Sequence, residues 1–256
     1  MRIPSVTQVH SARASNIFIS HASNRCPANP GRCRRTKRSE EKSMTDPAHH
    51  ASDFRRQRTV GIAGIAVASL LASGLWLGID LLMSPLPGMD SLGARMLLTL
   101  KCCCAAVLFC LVTGVEAVAH ERLTSPAFDP LAGFETHRLR VNQRYLQNTV
   151  EQIIVFAASL FGLAAYCPDG SSMRAVVATT VVWIVARFAF WLGYHRSAAM
   201  RGLGAPGMAI SMIVLLYVTS RFGHEIAGTV GAIVPLVAFF AVEALLFWGT
   251  RPVKEG

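Results

Sequence analysis

Charge is scarce in this chain, and acid is scarcer than base. Of 256 residues only 16% are charged, 25 Lys and Arg against 15 Asp and Glu. Soluble domains approach a quarter, so the deficit argues against an ordinary soluble domain. Chemistry-bearing patterns are missing too. There is no Gly-rich phosphate loop and no Asp/Glu pair for acid–base work, and His120, His137 and His195 lack the spacing of a metal site. No apolar h-region follows the start, so no signal peptide is visible. The seven cysteines give no disulfide framework: Cys26 and Cys33 lie in a polar stretch, Cys102, Cys103, Cys104 and Cys110 in one apolar run, and Cys167 in a turn. Three consecutive cysteines on a helix point in three directions and cannot all ligate one metal. They read as small packing residues, with a bound metal or a redox pair as the alternative. No metal is assigned.

What the chain has instead is apolar blocks of membrane-spanning length. It is 52% hydrophobic with a mean hydropathy of +0.40, which predicts an all-α, polytopic transmembrane bundle in a lipid bilayer. Six spans are expected, at 60–83, 92–118, 135–166, 174–195, 208–220 and 226–248. Gly61, Gly64, Ala68, Ala72 and Gly78 in the first permit close helix contact. Lys101 lies inside the second and Glu243 inside the sixth, where Pro235 predicts a kink.

Residues 1–58 hold 12 of the 25 basic residues and few apolar ones. They read as a disordered basic tail that orients the protein and meets anionic lipid. No nucleic-acid partner is expected, because no recognition fold accompanies the charge. Met44 opens MTDPAHHASDFRRQRTVG, which looks like an ordinary cytoplasmic start, so residues 1–43 are expected not to be translated. Residues 59–250 form the transmembrane domain and 251–256 a short tail. Lys and Arg near the span ends place both termini in the cytoplasm.

The informative stretch runs from Phe134 to Arg201. At about 100° per residue, Arg140, Arg144, Asn148 and Glu151 share one sector of the third helix. Arg187, Trp191 and Tyr194 cluster on one face of the fourth, joined by Arg201 if that helix continues past Gly193. Charge in a membrane helix is expensive and must meet a partner, a cavity or a neighbouring helix. The short turn at Cys167–Ser172 keeps the helices together, so both stripes are expected to face a common site. Arginines grip carboxylates, Glu151 could take an ammonium group and Asn148 an amide. The set suits a ligand with more negative than positive charge. Two other readings stay open: Arg187 with Glu151 as a buried ion pair tying two helices, and Tyr194 as an interfacial anchor.

R-x3-N-x2-E at Arg144, Asn148 and Glu151, with AR-x6-Y-x-RSA-x2-R from Ala186 to Arg201, resembles the MAPEG family, membrane-associated proteins of eicosanoid and glutathione metabolism. The resemblance covers about 92–221, a four-helix core with one extra span at each end. It implies that Arg144, Asn148, Glu151, Arg187 and Tyr194 bind glutathione as co-substrate and that Arg201 is catalytic, stabilising the thiolate. It further implies a homotrimer with sites between protomers, and conjugation or reduction of a lipophilic small-molecule substrate. Phe190 stands where catalytic members commonly carry a tyrosine, and Gln152 where some carry an aromatic. A non-catalytic scaffold of the same fold and a small-solute transporter are the alternatives.

Overall fold

The computed structural model describes residues 47–250. The expectations for residues 1–46, including the start at Met44, and for the tail 251–256 lie outside the described residues. The chain divides into two units, Met1–Ser52 and Asp53–Gly256, and the helical bundle belongs to the second. The elements of the described residues are α1 (Pro47–Leu82), α2 (Leu92–Ala106), a π-helical segment (Val107–Val112), α3 (Thr113–Thr124), α4 (His137–Tyr166), α5 (Arg174–Arg196), a 3-10 segment (Ala199–Gly204) and α6 (Ala205–Gly249). No strand occurs among the described residues. Five helices are long and apolar enough to cross a membrane, α2 to α3 forming one continuous span and the 3-10 segment with α6 another. The protein is a multi-pass integral membrane protein.

Helix ends follow local chemistry. Ser91 caps α2, its Oγ accepting from Ala94 N at 3.1 Å. Thr136 caps α4 by accepting from Leu139 N at 3.0 Å, and its hydroxyl donates to Glu121 Oε1 at 2.7 Å. In the tight turn before α5, Ser172 N donates to Asp169 Oδ1 at 2.8 Å and Asp169 N to Ser172 Oγ at 3.2 Å. Asp169 therefore has its carboxyl held below the usual range, the Ser172 amide being the largest cause. Arg95 Nη1 donates to Pro168 O at 2.8 Å, and Leu86 N to Gly170 O at 3.0 Å. These bonds knit the loops at this end of the bundle.

Two sequence expectations are corrected. α1 begins at Pro47, so residues 47–58 are helical rather than part of a disordered tail. Proline suits the first helical turn, where its missing N–H has no intrahelical partner to lose, and Arg55, Arg56, Gln57 and Arg58 are good helix formers. The expected polar loop at 221–225 is helical as well; Arg221 lies over the Tyr166 ring at 5.7 Å. The break in α6 comes later, at Ala227 (φ −139°, ψ 26°) and Gly228 (φ 59°, ψ −144°), and Pro235 stands within the helix beyond it. Only glycine tolerates the second pair of angles well. The chain reverses there: Gly223 and Gly231 meet backbone to backbone, and Ser220 Oγ donates to Ala232 O at 2.9 Å. In a continuous helix residues twelve apart stand about 18 Å from each other.

The core lies where α4 and α5 cross, with α2 and α6 against them. Phe156 stacks on Trp183 with ring centroids 4.5 Å apart, and Leu160, Val176, Met173 and Cys110 close round them, all buried. Van der Waals fit, more than water exclusion, holds such a core in lipid. Of the cysteine run, Cys102 and Cys103 are partly buried and Cys104 is exposed, and the five cysteines among the described residues are free. No group of three or more metal-ligating side chains occurs among the described residues. Lys101 and Glu243 are exposed.

Gly114 tests this packing. A Cβ there would lie 3.0 Å from Tyr145 Cε1 and 3.3 Å from Leu146 Cδ1. Overpacking of this kind costs about 1–3 kcal/mol, offset by about 1 kcal/mol of helix propensity. Gly114→Ala is expected to destabilise by about 1 kcal/mol net, read as a lower melting temperature in detergent. An unchanged or raised melting temperature would show that Tyr145 yields without cost.

Candidate functional site

On α4, Arg144, Asn148 and Glu151 recur at i, i+4 and i+7, which puts them on one face. On α5, Arg187 and Tyr194 are one face two turns apart. The chain then turns back at once. Ser197 N donates to Gly193 O at 3.0 Å and Met200 N to Ser197 O at 3.1 Å, while Gly193 packs directly on the Met200 carbonyl. Any side chain at Gly193 would force this turn away. Gly204 packs in the same way on Phe190. The 3-10 segment therefore lies against α5 and brings Arg201 back to the level of Arg187 and Tyr194.

All six expected site residues, Arg144, Asn148, Glu151, Arg187, Tyr194 and Arg201, line one cavity of about 440 Å³. Gln147, Gln152, Phe190 and Ala205 complete its side-chain walls. Two stripe members fall elsewhere. Arg140 is exposed and does not line the cavity. Trp191 turns to the start of α4, where its Nε1 donates to Asn142 Oδ1 at 2.9 Å and its ring stacks on Tyr145 at 5.4 Å. His195 Nε2 meets the same Asn142 oxygen at 2.9 Å, and Asn142 Nδ2 donates to Ala117 O at 3.2 Å. This buried polar knot fixes the α3–α4–α5 contact beside the site.

Arg187 is the centre of the site. It is fully buried. Its Nη1 donates to Asn148 Oδ1 and to Gln152 Oε1, both at 2.9 Å, and its Nη2 to Thr149 Oγ1 at 2.9 Å. The guanidinium lies over Phe190 at 4.6 Å and near the Tyr145 ring at 5.3 Å. Tyr145 is itself held by its hydroxyl, which donates to Cys110 O at 3.0 Å in the π-helical segment. The Arg187 Nε is buried with no partner.

The ion pair with Glu151 is not formed. Every Arg187 partner is neutral, and the ion pairs among the described residues are His120–Glu116 and Arg138–Glu121. Glu151 is exposed and accepts instead from Gln147 Nε2 at 3.3 Å; Gln147 Oε1 in turn accepts from Arg144 at 3.3 Å. The reason is helical phase: Asn148, Thr149 and Gln152 face α5, and Glu151 faces the open side.

Gln152 and Thr149 are the site residues that sequence reasoning missed. Gln152 read as a lost aromatic contact, whereas it is an acceptor for the buried cation and also donates to Asn148 Oδ1 at 3.2 Å. Both sit within one turn of Asn148, so a search for acceptors along the polar stripe would have found them.

The arrangement holds three arginines against one carboxylate, with one cation out of water and unbalanced by any acid. Neutral acceptors satisfy hydrogen bonds but leave that charge uncompensated, so the charge balance of the cavity is positive. The match to known proteins agrees in extent: a model of the MAPEG family covers residues 97–224, half of the chain and all of this site. No curated protein and no solved structure gives a match. With the motif residues gathered in one cavity of a multi-pass helical bundle, and the family match spanning them, the chain belongs to the MAPEG family.

Proposed function

We propose that the cavity binds glutathione, or a related thiol carrying carboxylates, and presents its thiolate to a lipophilic electrophile in the bilayer. The observation that carries this reading is the buried Arg187 cation, held by neutral acceptors and facing a cavity with two further arginines. Glutathione has two carboxylates, one ammonium, two peptide bonds and a thiol. Arg144 and Arg187 suit the carboxylates, Glu151 the ammonium and Asn148 a peptide bond. Tyr194 lines the same wall, and Arg201 stands at the thiol. The sulfur lone pair would form the new bond to the electrophile as its leaving group departs or its oxygen takes a proton.

Arg144, Glu151 and Arg201 are exposed in a single chain. A neighbouring copy would cover that open side, which supports the homotrimer that family membership suggests. The reversal at Ala227–Gly228 supports counting α6 as two spans, six in all, which puts both termini on one side, and the Lys and Arg near the span ends favour the cytoplasm for it. The missing Arg187–Glu151 pair weakens the scaffold reading, which relied on it.

Calorimetry on the detergent-solubilised protein tests the assignment. Glutathione is expected to bind, and Arg144→Ala to weaken it about tenfold, the worth of one exposed charge-assisted contact. Absence of binding heat in the wild type across several temperatures would remove glutathione as the ligand.

A further inference from the structure

The Arg201 side chain has no hydrogen bond or ion pair among the described residues, so its place depends on the backbone of the Ala199–Gly204 segment. One side of that segment rests on α5 through Gly193 and Gly204. The other side rests on α1, which lies wholly outside the family-matched residues 97–224.

The contact with α1 is close and depends on small residues. A Cβ at Gly202 would stand 2.9 Å from Ile65 Cγ1 and 3.3 Å from Gly61 O. At Gly61 it would stand 3.6 Å from Ala199 O, and at Gly64 3.6 Å from Leu203 Cδ2. Farther along α1 a second anchor fixes its register: Trp76 Nε1 donates to Thr179 Oγ1 on α5 at 3.1 Å. Two apolar cavities of about 520 and 290 Å³ flank the helix between α1 and the bundle. The packing of α1 is therefore concentrated at the small-residue crossing and the Trp76 bond, and the crossing bears on the residues either side of Arg201. No residue of α1 lines the polar cavity.

We propose that α1 is a positioning element for Arg201: Gly61 and Ile65 hold the Ala199–Gly204 segment against α5 so that Arg201 faces the cavity. The positional claim stands by itself; its chemical consequence at a thiol rests on the function proposed above. Small residues are required because the α1 backbone must approach the segment closely. A large side chain at Gly61 would push the Ala199 carbonyl, and with it Arg201, away from the cavity.

The test uses the full chain in nanodiscs with Gly61→Leu, Gly61→Ala and Gly74→Leu. Alanine at Gly61 keeps ordinary contact distance, and Gly74 on the same helix has nothing within 4 Å of its Cβ position. Gly61→Leu is expected to speed hydrogen exchange of residues 199–204 about tenfold and to change the phenylglyoxal modification rate of Arg201, read by peptide mass. Gly61→Ala and Gly74→Leu are expected to match the wild type. With glutathione bound, Gly61→Leu should also move the thiolate titration to higher pH, and Gly61→Ala should not. Should Gly61→Leu fail to fold, Ile65→Ala removes the same contact without added bulk and carries the same expectations.

Exchange and Arg201 modification in Gly61→Leu equal to Gly74→Leu would overturn the proposal. Faster exchange with unchanged Arg201 modification would also overturn it, since α1 would then hold the segment without setting the side chain. A wild type that shows no thiolate with glutathione defeats the thiol reading alone; the two ligand-free measurements still decide the positioning.

Discussion

Arg187→Met is expected to weaken glutathione binding on the order of 100-fold, the loss of a charge-assisted contact to a buried anion, while leaving the empty protein nearly as stable as the wild type. The second half of the expectation is the discriminating one. Removing one member of a buried ion pair strands the other charge and is strongly destabilising. Here no carboxylate is stranded, because the partners of Arg187 are Asn148, Thr149 and Gln152. Gln152 Nε2 already donates to Asn148 Oδ1 at 3.2 Å, so the two amides retain each other. Methionine fills the volume beside Phe190 and relieves the desolvation of the cation, which offsets the three lost bonds. In thermal melts, ligand at 100 times the wild-type Kd adds about 2.7 kcal/mol to the wild type and about 0.4 kcal/mol to the variant. An empty variant that fails to fold would show that Arg187 is a structural strut and would return the scaffold reading to favour.

The other large effect is expected at Arg201. A free thiol of pKa ~8.5 is a few per cent ionised at neutral pH, and lowering it by about two units takes roughly 2.7 kcal/mol, within reach of one close guanidinium. Arg201→Leu is then expected to cut the thiolate fraction of bound glutathione about 25-fold at pH 7, with turnover falling in the same direction. The sign with pH follows from linkage. The bound thiol pKa is depressed, so the extra affinity it brings is present above the bound pKa and vanishes below it. At pH 5 wild type and variant should bind alike; at pH 7 the variant should bind about fourfold more weakly. The ultraviolet thiolate band should rise about two pH units later in the variant. Equal titrations in the two proteins would take the catalytic role away from Arg201.

The contrast between these residues shows what the sequence could carry. Motif spacing over some sixty residues was enough to gather Arg144, Asn148, Glu151, Arg187, Tyr194 and Arg201 at one cavity, because spacing on a helix fixes the face. It could not tell which neighbour each face meets. Trp191 shares a face with Arg187 by arithmetic, yet Asn142 draws its indole to α4. Glu151 looked like the natural partner of Arg187 by charge, yet Gln152, one residue on, lies in the phase that faces α5. Interhelical choices of this kind depend on crossing geometry, which one-helix periodicity does not contain. The apolar blocks gave the all-α membrane fold readily. They placed the turn between the fifth and sixth spans at 221–225, just short of the reversal at Ala227–Gly228, because Gly228 does its work through a backbone angle and not through polarity.

The π-helical segment Val107–Val112 carries a consequence for how this family fold tolerates insertions and deletions. A π turn holds one residue more than an α turn needs, and here the Cys110 carbonyl in it receives the Tyr145 hydroxyl. Deleting one residue from 107–112 would return the segment to α geometry and keep the phase of α3, because the wide turn takes up its extra residue within itself, whereas a deletion in the regular helix on either side would turn everything after it by about 100°. Gly114 would keep its place against Tyr145, but the Cys110 carbonyl that receives the Tyr145 hydroxyl would move with the closing turn, and the aromatic wall behind Arg187 would lose that support. A single-codon gap in an apolar stretch would thus act, through one carbonyl, on the charge at the centre of the cavity, whereas a conservative apolar substitution at the same positions would leave that carbonyl in place.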